Sequence, residues 1–160
     1  MKITMSHNQA AWKIKEWYLF RHGVVEAGVK GTEVFTLFDK MSPDKQDLVI
    51  QKLHLNPFEK PVLIFAPDTG KYIINTSQRF VKITDAKHES VYYDEFQGFI
   101  YYEALHYEKE KRYKATPTVY IDLGLKKISG EILFWEVPQD NAGFFFWNVT
   151  RSTEDIRIMP

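Results

Sequence analysis

Residues 18–23 read Tyr-Leu-Phe-Arg-His-Gly, and Arg21-His22-Gly23 is the stretch whose residue types could do chemistry unaided. An arginine presents a planar fork of donors to phosphate, and a neutral imidazole beside it can accept a phosphoryl group. The other histidines are His7, His54, His88 and His106, and none is followed by glycine. The preferred reading is a helix end. Positive side chains suit the negative end of the helix dipole, and a glycine there supplies the left-handed residue that stops the helix.

Other candidate groups fall in the second half of the chain. Glu103 and His106 have the i, i+3 spacing of a carboxylate–imidazole metal pair on a helix, but a two-metal site needs a second such pair and further carboxylates. His88-Glu89 and Asp94-Glu95 match no metal-loop spacing, and adjacent strand residues point to opposite faces. No metal and no cofactor is expected. Lys109, Lys111, Arg112 and Lys114 form the one basic cluster, with Lys126 and Lys127 able to join it in space. Glu108 and Glu110 interleave and dilute its field, which favours a solvated loop. Tyr107 and Tyr113 flank it, as bases would require for stacking. The last candidate is aromatic: Phe144-Phe145-Phe146-Trp147, with Trp135 and Tyr101-Tyr102. Four consecutive aromatics cannot all face one core, so one or two should reach a surface or a partner.

The totals bound what these groups can be. The chain has 160 residues, with 21 Lys+Arg against 21 Asp+Glu, so no global field attracts nucleic acid, and no nucleic-acid partner is expected. The absence of cysteine excludes disulfides, thiol catalysis and cysteine-bound zinc. Aromatics make up 16% of residues, which favours a sheet-rich fold with an adhesive face. No apolar run approaches the ~20 residues that span a bilayer. The polar start MKITMSHNQAAWKIKEW lacks a signal-peptide core, so a cytoplasmic protein is expected.

The elements that must position these groups divide near residues 57–61. Residues 7–56 read as helical. Ser6 or Asn8 caps a first helix carrying Ile14, Trp17, Tyr18 and Arg21 on one face, and this helix ends between 22 and 30. Val34, Phe35, Leu37, Phe38 and Met41 repeat at helical spacing. Ser42-Pro43-Asp44 starts another helix, with Ser42 as acceptor at the cap and Leu48, Val49 and Leu53 toward the core. From Pro61 on, strands are expected over 62–66, 71–75, 79–84, from 90, over 118–123 and over 131–137, with Asp68-Thr69-Gly70 as a hairpin turn. Residues 94–114 read as a long or bent strand leading into a charged loop. Asp140-Asn141 caps a last helix through Phe144, Phe145, Asn148 and Val149, although Phe-Phe-Phe-Trp also has strand propensity. The expected organisation is a helical segment over 1–57 and an antiparallel domain over 58–160, an α+β fold.

The strand region resembles the bacterial pleckstrin-homology-like (PH-like) domains. Val62-Leu-Ile-Phe-Ala-Pro-Asp-Thr-Gly-Lys-Tyr-Ile-Ile-Asn-Thr-Ser-Gln-Arg-Phe80 follows their apolar strand, tight turn and "yiiT-x-x-R-hydrophobic" pattern, with Thr76, Arg79 and Phe80 in matching places. Val91-Tyr-Tyr-Asp-Glu-Phe96 resembles a later strand, and the likeness runs over roughly 58–155. It implies a bent antiparallel β-barrel closed at one end by a helix, acting as a binding module without catalytic residues. The expectation is therefore a non-catalytic cytoplasmic module that recognises a protein partner through Phe144, Phe145, Trp147 and Trp135. The alternative is peripheral binding of anionic lipid or phosphate through Lys109, Lys111, Arg112 and Lys114. Self-association stays open. Least favoured is an enzyme using His22, because the triplet resembles the histidine phosphatases only locally and their alternation of strands and helices is missing.

Overall fold

A computed structural model describes residues 1–68, 70–85, 87–101 and 120–160. The chain is α+β. A short strand β1 (Ile3–Met5) leads into helix α1 (His7–His22). Then come β2 (Phe35–Leu37), α2 (Pro43–Leu53), β3 (Pro61–Asp68), β4 (Lys71–Thr76), β5 (Arg79–Ile83), β6 (His88–Tyr92) and β7 (Phe96–Tyr101). Strands β8 (Tyr120–Lys127) and β9 (Ile132–Pro138), helix α3 (Asn141–Thr150), a 3-10 turn (Arg151–Asp155) and β10 (Ile156–Ile158) follow.

Five strands form an antiparallel sheet in the order β2-β3-β4-β5-β6, and three form a second in the order β7-β8-β9. β1 and β10, from the two ends of the described chain, pair in parallel. Among the described residues the two antiparallel sheets share no strand pairing, so the expected closed barrel is not formed. β2 pairs with β3 (Phe35 opposite Phe65, Leu37 opposite Leu63) and forms one edge of the first sheet. That pairing also carries the first sheet across the composition change at 57–61.

The first sheet is covered on both faces. Leu63, Phe65, Ile73 and Phe80 point into the main core, which they share with β8, β9, α1 and α3. Ile64, Ile74, Val81 and Ile83 point the other way, onto Phe38, Val49 and Leu53 of the α2 side. A strand buried on both faces loses the period-2 pattern and reads as one apolar run, as Val62–Phe65 does.

Three N-terminal expectations need correction. Residues 32–41 are not a helix but β2 followed by a 3-10 turn (Phe38–Lys40). Phe35, Thr36 and Leu37 are all buried, so no alternation is visible, and the remaining apolar positions imitate a helical repeat. Ser42 precedes α2, with Pro43 in the first turn, but its side chain caps nothing. Instead the Gln46 side chain donates to the Met41 carbonyl at 2.8 Å. Leu48 is 54% exposed. Only Val49 and Leu53, four apart on one face, are buried in α2. α1 does carry a capping box: Ser6 accepts from the Gln9 N–H, and the Gln9 side chain accepts from the Ser6 N–H.

A buried ion pair joins α2 to the first sheet. Arg79 donates from Nε to Glu59 Oε2 at 2.7 Å and from Nη2 to Oε1 at 3.0 Å. Nη2 also reaches the Leu53 and His54 carbonyls at the end of α2, and Nη1 donates to Ser90 Oγ on β6. The Thr76 hydroxyl donates to Glu59 Oε2 at 2.7 Å while accepting from the Arg79 N–H. Thr76 and Arg79, singled out in the sequence, thus bracket the β4–β5 turn and satisfy each other's neighbours. Such a pair costs desolvation, and its completeness is what makes it tolerable.

Burial pushes the Glu59 carboxyl up, but hydrogen bonds from Arg79, Thr76 and the Asn56 N–H, with the Arg79 charge, hold it below its ordinary 4.5. A carboxyl lowered in the folded state adds stability above its unfolded value, which is lost as pH falls through the folded one. Thermal denaturation from pH 7 to 3 should therefore show wild type losing stability below about pH 4.5. Glu59→Gln should cost about 3–5 kcal/mol near neutral pH by leaving Arg79 buried and unpaired. Its further loss on acidification should be smaller than that of wild type.

Candidate functional site

Helix α3 begins where Asp140 accepts the Gly143 N–H on its side chain at 2.9 Å. Gly143 is required by contact: a Cβ there would lie 1.9 Å from the Pro138 carbonyl oxygen. The helix phase is set by Phe146, which is fully buried and stacked on Phe65 with centroids 4.9 Å apart. Phe146 also meets Phe35 edge-on at 5.7 Å. Val149 and Thr150 follow it inward.

The four aromatics therefore separate. Phe146 enters the core. Phe145 turns toward α1 and packs on His22 at 4.4 Å. Phe144 is 58% exposed, and Trp147 is half-buried beside it at 6.1 Å. The Arg151 guanidinium lies over the Trp147 ring at 5.1 Å, a cation–π contact. Arg151 keeps helical backbone angles and donates its N–H to the Trp147 carbonyl, so Phe144, Trp147 and Arg151 form one stripe at i, i+3, i+7.

The stripe is held by the triplet from α1. α1 ends at His22, and Gly23 follows in the left-handed region at φ 66°, with the Val24 N–H donating to the Leu19 carbonyl at 3.1 Å. Arg21 donates from Nη1 to the Asn148 carbonyl and to the Val149 carbonyl, the latter at 3.1 Å, and from Nη2 to Ser152 Oγ at 2.9 Å. It thereby satisfies carbonyls that the end of α3 would leave unpaired. His22 donates from Nδ1 to the Tyr18 carbonyl at 3.0 Å and lies between the Tyr18 and Phe145 rings. The triplet thus sits at a helix end and does not follow a strand.

A cleft of 470 Å³ opens where α3 ends. Arg21, Gln97, Phe99, Trp147, Arg151 and Ser152 line it, and Glu154 and Asp155 also border it. Neither arginine forms an ion pair among the described residues. Burial, then the nearby charge of Arg151, lowers the Arg21 pKa.

Of the residues proposed from sequence, Phe144, Phe145 and Trp147 come together on α3. Trp135 does not join them: it is 0% exposed in the main core, because it shares the inward face of β9 with Val137. Lys109, Lys111, Arg112 and Lys114, like Glu103, His106, Tyr107 and Tyr113, lie outside the described residues. Lys127 pairs with Glu131 at 2.7 Å. His88 faces the end of α2, its Nε2 3.2 Å from the Leu53 carbonyl oxygen. Among the described residues no three His, Asp or Glu side chains are placed to hold a metal ion. Sequence reasoning missed Arg151, Ser152 and Gln97. Only Arg151 had a readable signal, its i+4 spacing from Trp147.

Comparison of the chain with protein-family models, with curated proteins and with solved structures finds no match.

Burial lowers the His22 pKa from its ordinary 6.5, against the hydrogen bond to the Tyr18 carbonyl and the charge of Glu33, which raise it. A base lowered in the folded state binds its proton more readily when unfolded, so its contribution is present above 6.5 and lost as pH falls. The contact between α1 and α3 should loosen as pH drops from about 7 to 5. Hydrogen exchange at Phe145–Val149 should accelerate over that interval in wild type, and less so in His22→Phe.

Proposed function

We propose that this protein is a non-catalytic binding module that recognises a protein partner through the outward stripe of α3. The observation that carries the reading is Phe144: a large aromatic ring left 58% exposed on a helix whose neighbouring positions are anchored by the core and by Arg21. Exposed aromatics on a fixed frame add contact area at little entropic cost, which is why they dominate protein interfaces. Trp147 and Arg151 extend the patch with a second residue type common at such centres.

The layout supports the PH-like reading in part. Antiparallel strands followed by a C-terminal helix agree with the general layout that the resemblance implies, although the strands form two sheets and no closed barrel. A cytoplasmic module without an active site completes the proposal. No helix among the described residues is long and apolar enough to cross a membrane.

The test is photo-cross-linking in an extract of the protein's own source. A photoreactive phenylalanine replaces Phe144 in one version and Lys52, on α2, in another. A protein cross-linked from position 144 and not from 52, and no longer retained by unlabelled Phe144→Ser, is the expected result. Cross-linking that is the same from both positions, or none from 144, would refute a docking surface on α3.

A further inference from the structure

We infer that the cleft at the end of α3 takes a single carboxylate of an acidic peptide whose apolar side chain lies on Phe144 and Trp147. This rests on the reading of α3 as the docking surface and adds the chemistry of its partner.

The argument starts from unused donors. Arg21 is fixed by three hydrogen bonds to the end of α3, which leaves Nε–H and one Nη2 hydrogen uncommitted. The Ser152 oxygen accepts from Arg21, so its own hydrogen is free to turn into the cleft. Arg151 stacks on Trp147 and makes no side-chain hydrogen bond or ion pair among the described residues. Both guanidinium groups line this one cleft and neither forms an ion pair among the described residues, so together they offer a receptor for an acid, since arginine pairs with carboxylates through two parallel bonds. Gln97 adds an amide to the same cleft.

Glu154 and Asp155 limit what else can enter. They border the cleft without an ion pair to either arginine, and burial, then the Asp155 charge, raises the Glu154 pKa against the charges of Lys2 and Arg151, which lower it. A second acid on the ligand would meet these two carboxylates. The cleft therefore discriminates against polyacidic segments and favours one acid flanked by neutral residues.

Geometry fixes the spacing. Phe144 and Arg151 are seven residues apart on one helical face, roughly 10 Å along the axis at ~1.5 Å per residue. A peptide in the polyproline II conformation rises ~3.1 Å per residue with about three residues per turn, so positions three apart share a face and span that distance. The ligand thus carries its apolar side chain and its carboxylate three positions apart.

The test uses the full chain, labelled with nitrogen-15, and follows the indole N–H signals, with Trp147 assigned through Trp147→Phe. The probes are terminally blocked alanine-based heptapeptides with one Phe and one Glu separated by one, two, three or four positions, and the same set with Gln for Glu. Vesicles of phosphatidylserine form a separate arm. The expected result is saturable movement of the Trp147 signal, tightest at a separation of three and at least tenfold weaker for the Gln peptide. Arg151→Gln should remove that tenfold preference, and Arg151→Lys should retain part of it. Arg151 is exposed and its one described side-chain contact is the stack on Trp147, so each variant is titrated against its own free indole signal, and an unfolding midpoint matching that of wild type shows that the variants test recognition and not folding. Equal affinity for Glu and Gln peptides would overturn the inference. If both then lose affinity in Phe144→Ser, α3 remains the docking surface. An optimum at another separation, binding to the vesicles alone, or no movement with any peptide would also overturn it.

Discussion

The stack of Phe146 on Phe65 fixes what the rest of α3 can do. Successive helical residues turn by about 100°, so once position 146 is committed inward the directions of 144, 145 and 147 follow. Phe65 belongs to the central region of the first sheet, and Phe35, Phe80 and Phe99 surround the same ring. The helix cannot rotate to bury Phe144 without withdrawing Phe146 from four aromatic neighbours. Arg21 then fixes the far end by holding the last carbonyls. Exposure of Phe144 is thus a consequence of packing.

The sheet that holds Phe65 is itself stabilised from both sides by unlike means. Toward α1 and α3 the contacts are aromatic and aliphatic, and Tyr18 contributes a hydrogen bond to the Phe35 carbonyl at 2.8 Å. Toward α2 the apolar contact is smaller, and the Glu59–Arg79 pair ties the helix end, the β4–β5 turn and β6 together. The polar junction fixes direction, because each of its partners has a definite geometry. The aromatic core supplies most of the buried area. The two sides also respond to acid in different ranges, His22 on one and Glu59 on the other.

Much of this was legible in the sequence, and the failures have physical causes. Ser6, one of the two cap candidates, the glycine stop after His22, Pro43 at the start of α2 and Asp140 before α3 are local signals, and each marks its element correctly. The strands from β3 onward could be read because turn residues separate them. β2 could not, because burial on every side removed its alternation. Closure of the barrel was implied by the resemblance, and β2's place at the sheet edge is a long-range pairing that no local pattern encodes. β1 and β10 were missed for the same reason: three residues each, paired from opposite ends of the chain. At the candidate site, the impossibility of burying four successive aromatics pointed to α3. The cleft beside it did not announce itself, because Arg21, Gln97, Arg151 and Ser152 converge only in three dimensions.

The central claim is that the outward stripe of α3 exists for recognition and the inward one for folding. It is tested most directly by the unfolding free energies, in urea, of Phe144→Ser and Phe146→Ala. The account predicts that Phe144→Ser stays within about 0.5 kcal/mol of wild type, while Phe146→Ala loses about 3–5 kcal/mol. A loss at Phe144 as large as that at Phe146 would contradict it, and would make Phe144 part of the core and not of a binding surface.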